Sequence, residues 1–584
     1  MGNYNRPLKR TFFNFLPQSI VSRIFLAAIW MLFFCFFLIS DASAAVYCMK
    51  TTGVKTVGSS VIDNWTDGNC YDNLGSIFSQ MQGGDDIVID DGEYTGAGNH
   101  IWQFSAPPSG AANNYTEIRA RNIPGQGGIS SAEALRVRFT DWDSFYVVGS
   151  GAGFREYIKF EGIRWNGVTT YDGWNRLIFK QCAVQGVGEG NYSAFTIGGA
   201  YNLLEDVVVF GMGRYKLLFY EYGTASDNLC RRCIVRQDWA NANASAEVDM
   251  PIAAISNYYT RRNAFLNTII IDGDNPAYWD DRSIELAGSF YQPNDAGPNA
   301  MTIKGSIVLN TATAAVQVTA NSSGHIIEDL VVAKTAGGIH VRGGANINRV
   351  TVVDIGLNNF TYRDAAQASR VIGPDYGVFN DTANTVTLSN SIFRSILDTA
   401  VKGNISQSSL NIFASGNPGV VPSFSYDPFL KGLSYPLRVE EGSVLQTAGA
   451  GGGQIGARIV NKLGVDGTFK GDPDWDTEQA QSLWPWPLED WVRAEMRTMD
   501  QVIDGNVMPA ANRGFAADGQ TLTKYIWESF GNIMPTEIYN HPTIGVTDFL
   551  QLIINWLTSN SASDKNSDGS VNTRDLGIMM SGWE

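Results

Sequence analysis

One short pattern of apolar and polar positions recurs along the middle of the chain: apolar, two outward residues, an apolar or small residue, one outward, apolar. It runs through Phe160–Trp165, Phe179–Val184, Leu204–Val209, Cys230–Val235, Leu266–Ile271, Ile303–Val308, Ile327–Val332, Ile347–Val352 and Leu388–Phe393. Successive copies start 19 to 26 residues apart where the intervening loops are short, and 36 to 41 apart where they are long. Short β-branched strands at this period, separated by Gly, Asn and Asp, predict a parallel β-solenoid. One such strand cannot bury its apolar face alone, but stacked coils build a continuous core. At about 4.8 Å per coil the nine copies would span roughly 40 Å.

The ends of this body carry more specific motifs. Ser76-Ile-Phe-Ser-Gln-Met-Gln-Gly-Gly-Asp-Asp-Ile-Val-Ile-Asp-Asp-Gly-Glu-Tyr94 resembles the opening of pectin-lyase-like right-handed β-helix proteins, in which a short helix caps the solenoid and the following strand starts the first coil. Asp427-Pro-Phe429, Gly442-Ser443 and Gly453-Gln-Ile-Gly-Ala457 are similar to the closing coils of that family. The resemblance covers residues 50 to about 460 and implies an all-β, right-handed parallel β-helix. It does not fix an activity, because this fold hosts lyases, hydrolases, epimerases, adhesins and scaffolds.

The tail adds a different chemistry. Asp564, Asn566, Asp568, Ser570, Asn572 and Asp575 stand at positions 1, 3, 5, 7, 9 and 12 of a loop with Gly569 at position 6. Calcium takes several oxygen ligands, and such a loop needs glycine at its sharp turn. Aspartate rather than glutamate at position 12, followed by Leu576-Gly-Ile-Met-Met-Ser-Gly-Trp583, resembles one calcium-loop half of a dockerin. Asp548 to Trp556 repeats the helix 27 residues earlier, but Glu537, Tyr539, His541 and Pro542 replace Asp564, Asn566, Asp568 and Gly569. The expectation is one calcium site in a small α-helical dockerin-like domain. The resemblance implies a cohesin-like protein partner, which the incomplete first half weakens; a calcium-stabilised cap on the chain's own solenoid is the other role for the tail.

At the N-terminus, Arg6, Lys9, Arg10 and Arg23 precede an apolar run from Ile24 to Ile39 and then Ala42-Ser-Ala44, the pattern of a secretory signal peptide. The predicted organisation is a signal peptide at 1–44, a β-helix with its cap at 45–460, a Trp/Pro-rich capping or linker segment at 461–530, and the dockerin-like domain at 531–584. The protein is expected to be secreted or extracellular, with attachment at the cell surface as the further option, and to have no membrane span once the signal is removed. Residues 1–44 hold four basic residues and one acid, a net +3, so the formal charge of −16 becomes −16 − 3 = −19 without them. That balance argues against nucleic-acid binding.

Cys48 and Cys70 flank the expected cap and are suited to a disulfide in an oxidising compartment. Cys182, Cys230 and Cys233 fall in the repeats and read as buried apolar rungs, since neither a second Cys pair nor a nearby histidine supports a metal or redox site. Trp484, Trp486 and Trp491 read as an apolar lid on a solenoid end in preference to a sugar platform.

Catalytic residues are less legible. Glu161, Lys180, Glu205 and Arg231 share one outward position in successive coils, with Asp206 and Arg232 beside them. The plainest reading is a solvated ladder of cross-strand ion pairs. Related uronate lyases use Lys or Arg to take the proton alpha to a carboxylate, which makes Lys180, Arg231 and Arg262 candidates. Asp280, Asp281 and Arg282 join them, with Arg214, Tyr215, Lys216 and Arg261 in adjoining loops. A hydrolase needs two carboxylates across the scissile bond, and Asp280 and Asp281 are adjacent and would point to opposite faces of a strand. If this is an enzyme, a polysaccharide lyase is therefore favoured over a glycoside hydrolase. The function expected is binding or degradation of a polysaccharide, an acidic one in the lyase case, with a non-catalytic adhesin or rigid scaffold as the alternative.

Overall fold

The computed structural model describes residues 44–529, apart from 127–128, 143, 148–152, 188–192, 221–225, 237, 239–252, 259, 274–288, 293–299, 320–321, 358–374, 408–410, 414–436, 438, 440–442, 500–501, 504–505 and 508–509; it also describes 553–556 and 571. The account below concerns the unit Val46–Glu584.

The repeats form coils of three strands, each strand pairing in parallel with its counterpart in the next coil. Leu203–Glu205, Val208–Gly211 and Tyr215–Tyr220 make one coil, and Leu229–Arg231, Ile234–Arg236 and Ala253–Tyr258 the next. They pair with Leu203 opposite Leu229, Val208 opposite Ile234 and Leu217 opposite Ile255. The first strands line up in a 13-stranded sheet from Val46–Met49 to Ile405–Gln407. The second and third strands merge into one 21-stranded sheet, because Ile307–Val318 and Val331–Val341 run through the intervening corner without a break.

The corner between first and second strands explains the hexad. Its third position, Gly162, Gln181, Asp206, Arg232, Asn267, Gly305, Asp329, Arg349 and Asn390 in turn, has φ between +46° and +70°. A single left-handed residue turns the chain there, a conformation natural to Gly and tolerated by Asn and Asp. Two arginines also adopt it, each held by a forked pair to the aspartate in the preceding coil: Arg232 to Asp206 at 2.7 and 2.9 Å, Arg349 to Asp329 at 3.0 and 2.6 Å. One expected copy is shifted. Phe265, not Leu266, stands opposite Cys230 and Ile303, so the hexad begins at Phe265 and Leu266 faces outward. The run of apolar residues from Ala264 to Leu266 hides that register in the sequence.

Inside the coils, Phe160, Phe179, Leu204, Cys230, Phe265, Ile303, Ile327, Ile347 and Leu388 form one buried column. Phe160 and Phe179 stack at 5.0 Å. At the corner between third and first strands, buried Asn202, Asn228 and Asn263 each accept a backbone N–H from the neighbouring coil, at 2.9, 2.9 and 3.0 Å. Cys48 and Cys70 are joined, as the sequence suggested. Cys182, Val207 and Cys233 occupy one position in successive coils and all are buried, but the reading of the repeat cysteines as unlinked rungs is corrected: Cys230 and Cys233 form a disulfide across the corner. The sequence treated the two positions as separate apolar rungs, whereas the one-residue turn at Arg232 brings their Cα atoms to 6.0 Å, within disulfide reach.

Helix α1 (Leu74–Phe78) is capped by Asn73, which accepts the Ser76 N–H at 2.8 Å. The strand Asp86–Ile89 follows it, yet Val46–Met49 lies ahead of Asp86–Ile89 in the first sheet, so the Gly-Asp motif does not begin the stack.

The C-terminal segment runs back along the body. Gly456 N–H meets Asn390 O, Ala457 N–H meets Thr351 Oγ1, Arg458 N–H meets Asp329 and Leu463 N–H meets Asn267, each step nearer the N-terminal coils. After an antiparallel hairpin of Asn461–Leu463 with Glu478–Ser482, the chain crosses to the second strands and forms α2 (Glu489–Arg497) and α3 (Leu522–Glu528). Their Trp484, Trp486, Trp491 and Trp527 are buried against an outward aliphatic row of Ala183, Val208, Ile234, Ile269, Ile307 and Val331. The tryptophans thus form a lid, but one laid along a side of the solenoid, where the sequence reading had placed it over an end.

Candidate functional site

The charged row expected to be a solvated ladder is largely buried. Lys180, Glu205 and Arg231 do sit side by side, but the side chains of Glu205 and Arg231 are 0% exposed. Residues 464–477 lie over them. Arg231 donates to Glu205 at 2.8 Å and to the carbonyls of Val465, Thr468 and Trp475 at 2.8, 3.1 and 3.0 Å. Gly467 N–H donates to Glu205 at 2.9 Å. Arg232 pairs with Asp206 and with Asp466 of the covering segment. The contacts to Val465, Asp466, Gly467, Thr468 and Trp475 tie the strap to the sheet, so Arg231 is out of a ligand's reach. Lys180 keeps 31% side-chain exposure, 3.9 Å from Glu205. Arg262 forks onto Asp227, which also takes Lys470 at 3.0 Å. Burial acts to raise the Asp227 carboxyl, but those two cations outweigh it and hold it below its ordinary range. Asp280, Asp281 and Arg282 lie outside the described residues, as do the calcium-loop residues Asp564, Asn566, Asp568, Ser570, Asn572 and Asp575 and the signal peptide. Among the described residues no group of His, Cys, Asp and Glu is placed to hold a metal, and no helix is long and apolar enough to cross a membrane.

The third strands present a different surface. Trp102, Tyr146, Thr169, Thr196, Leu218, Ser256, Tyr291, Gln317, His340, Phe379 and Lys402 stand opposite one another in successive coils. Their neighbours along each strand, such as Phe145, Phe195, Leu217, Ile255, Phe290 and Val316, are buried in the coil interior, so this row faces outward. Trp102 and Lys402 are exposed and Tyr146, Thr169, Leu218, Tyr291 and Phe379 partly so, whereas Thr196, Ser256, Gln317 and His340 are buried. A second aromatic file runs alongside: Tyr171 lies 6.3 Å from Tyr220, which lies 5.6 Å from Tyr258. At the far end His340 stacks on Phe379 at 4.7 Å, and Lys402 lies 4.3 Å above the Tyr376 ring.

A shallow pocket opens beside this row, lined by Trp142, Tyr146, Asn166, Thr169, Met212 and Gly213 among others. Lys216 lies behind its wall, buried, donating to Gly213 O at 2.9 Å. Burial draws its amine down to about 7, with Asp238 opposing the shift. Asp238, itself buried, accepts from Gly211 N–H at 2.9 Å and from Arg513 at 2.8 Å. Burial pushes that carboxyl up, but Arg236 and Arg513 outweigh it and keep it below its usual range. Lys216 was visible in the sequence as a loop cation. The aromatic row was not, because loops of very different length precede the third strands and conceal their common register.

Two buried histidines, His325 at the start of a first strand and His340 in the third-strand row, give the solenoid a pH response. Burial lowers both His325 and His340 to about 4. Their folded values lie below the unfolded value near 6.5, so the stability they contribute is complete above about pH 6.5 and is lost as pH falls toward 4. An upper figure is about 3 kcal/mol for each. His325 Nδ1 accepts the Met301 N–H at 3.0 Å, and His325→Asn keeps an acceptor there without a titrating ring. Denaturant midpoints from pH 7.5 to 4.5 are expected to fall less steeply in this variant; an unchanged slope would refute the assignment.

No protein-family model matches the chain, and no curated protein matches it. Among solved structures, the pectate lyase Pel9A is 14% identical, with 71% of this chain and 97% of that one covered and a TM-score of 0.39. A variant of the family 6 alginate lyase AlyGC is 11% identical, covering 67% and 58%, with a TM-score of 0.41. An alginate lyase from Paenibacillus sp. str. FPU-7 is 14% identical over 57% and 96%, with a TM-score of 0.29.

Proposed function

We propose that this is an exported polysaccharide-binding solenoid that holds a glycan chain along its third-strand face. One observation supports this above the others: the chain's own C-terminal segment lies on the first- and second-strand faces, while the third presents Trp102, Tyr146, Thr169, Tyr291, Phe379 and Lys402 to solvent in successive coils. Their repeat of about 4.8 Å is close to the length of one hexose unit, and aromatic rings offer large contact area at small entropic cost. The tail would anchor the protein through calcium held by Asp564, Asn566, Asp568, Ser570, Asn572 and Asp575, with a cohesin-like partner.

Cleavage is the second reading, favoured by Lys180, whose side chain keeps 31% exposure in the charged row. An amine within solvent's reach there is placed to take the proton alpha to a carboxylate, with lyase chemistry as the outcome. Calcium in the tail loop serves anchoring in this reading.

Isothermal titration across acidic and neutral polysaccharides tests the face. Phe379→Ala and Tyr291→Ala are each expected to weaken binding about tenfold, by removing a stacked ring. Full affinity in both variants would refute the face as the binding surface. Release of unsaturated ends, abolished in Lys180→Ala while binding persists, would establish the lyase.

A further inference from the structure

We infer that the N-terminal end of this face is a distinct platform for neutral sugar residues, built from Trp102, Phe104, Trp142 and Tyr146. The inference rests on the polysaccharide reading and adds which chemistry each end of the face accepts.

The platform is exposed yet held in place. Trp102 and Ser105 exchange backbone hydrogen bonds at 2.9 and 3.0 Å, so Gln103 and Phe104 form a two-residue turn with Phe104 at its tip. Phe104 is 75% exposed, Trp142 51% and Trp102 43%, the largest concentration of exposed rings on this face. Phe104 meets Trp102 edge-on at 5.5 Å, and Trp142 lies 6.0 Å from Tyr146, which stands opposite Trp102. The two loops are joined by Ile101 N–H to Ser144 O at 2.7 Å and by Asp141, which takes both Gly96 N–H at 2.6 Å and His100 Nε2 at 2.9 Å. Rings fixed in this way lose little freedom on binding.

Charge separates the two ends. Asp141, which precedes Trp142 in the chain, has its carboxylate paired with His100, and the four platform side chains carry no cation to attract an acidic sugar. At the other end Lys402 lies over the Tyr376 ring, while Arg342 is paired with Asp381. Stacking on the apolar faces of pyranose rings requires no charge, so the platform takes neutral residues and leaves charged ones to the far end. A protein partner would also cover exposed aromatics, but the platform continues directly into the glycan row through Tyr146 and the pocket it lines.

The test titrates the full chain with cellohexaose, xylohexaose and mannohexaose as neutral probes and with an oligomannuronate as the acidic one. Binding of at least one neutral probe is expected, weakened about fivefold or more by Trp102→Ala and by Phe104→Ala. Phe154→Ala, which removes an 81% exposed ring outside the platform, should leave it unchanged. Acidic binding should instead depend on Lys402. If the protein binds the oligomannuronate but no neutral probe, the platform inference falls and the polysaccharide reading stands. If it binds neither, both fall. Neutral binding that survives Trp102→Ala and Phe104→Ala, or acidic binding lost equally with them, also overturns the platform.

Discussion

Glu495→Ala is expected to remove about 3–5 kcal/mol of stability, among the largest single-residue losses in this protein. Glu495 lies on α2 with its carboxylate fully buried, accepting the Leu135 N–H and an Arg164 Nη1 proton, each at 2.8 Å. Arg164 is 4% exposed. Alanine would leave a guanidinium and a backbone N–H buried without their principal acceptor, and loss of one member of a buried pair costs far more than the pair contributes. Glu495→Gln retains an acceptor and should lose less. Guanidinium denaturation followed by tryptophan fluorescence is a suitable readout, because Trp484, Trp486, Trp491 and Trp527 all lie in the cluster that α2 closes. An alanine variant within 1 kcal/mol of the parent would refute the assignment.

Arg231→Ala should have a comparable effect, about 3–5 kcal/mol, with a second signature. It strips Glu205 of its buried partner and releases the carbonyls of Val465, Thr468 and Trp475. The strap should then be cut by protease between residues 464 and 477 before the coils are. Combining Glu205→Gln with Arg231→Met removes both charges while filling similar space, and should recover most of the lost stability. A double variant no better than Arg231→Ala would show that the arginine acts chiefly through the strap carbonyls.

The two expectations concern the part of the molecule least legible in the sequence. The coil pattern was readable because each interior position repeats an apolar residue and each corner uses one left-handed residue at a fixed offset. It failed at Leu266, where three consecutive apolar residues leave two registers equally apolar. The covering segment left a trace: the fifth hexad position is aliphatic in Val208, Ile234, Val331 and Ile392. An outward row that apolar needs a cover, and the Trp-rich segment is the natural one. Which side it would lie on depended on pairings between residues more than two hundred positions apart, such as Arg231 with Val465, and no local pattern encodes these. For the same reason the charged row appeared solvent-facing. The aromatic face stayed hidden because its members are separated by loops of unequal length, leaving no period to detect.

The backward course of the C-terminal segment has a consequence for biogenesis. A chain made from its N-terminus can stack its coils as they emerge, yet the row from Ala183 to Val331 stays bare until residues 484–527 arrive. For that interval the nascent solenoid offers water a long aliphatic flank, the kind of surface through which partly finished chains associate. Premature termination anywhere between the last coil and α3 would therefore yield a sticky product, and the final stretch of synthesis decides whether the molecule remains soluble.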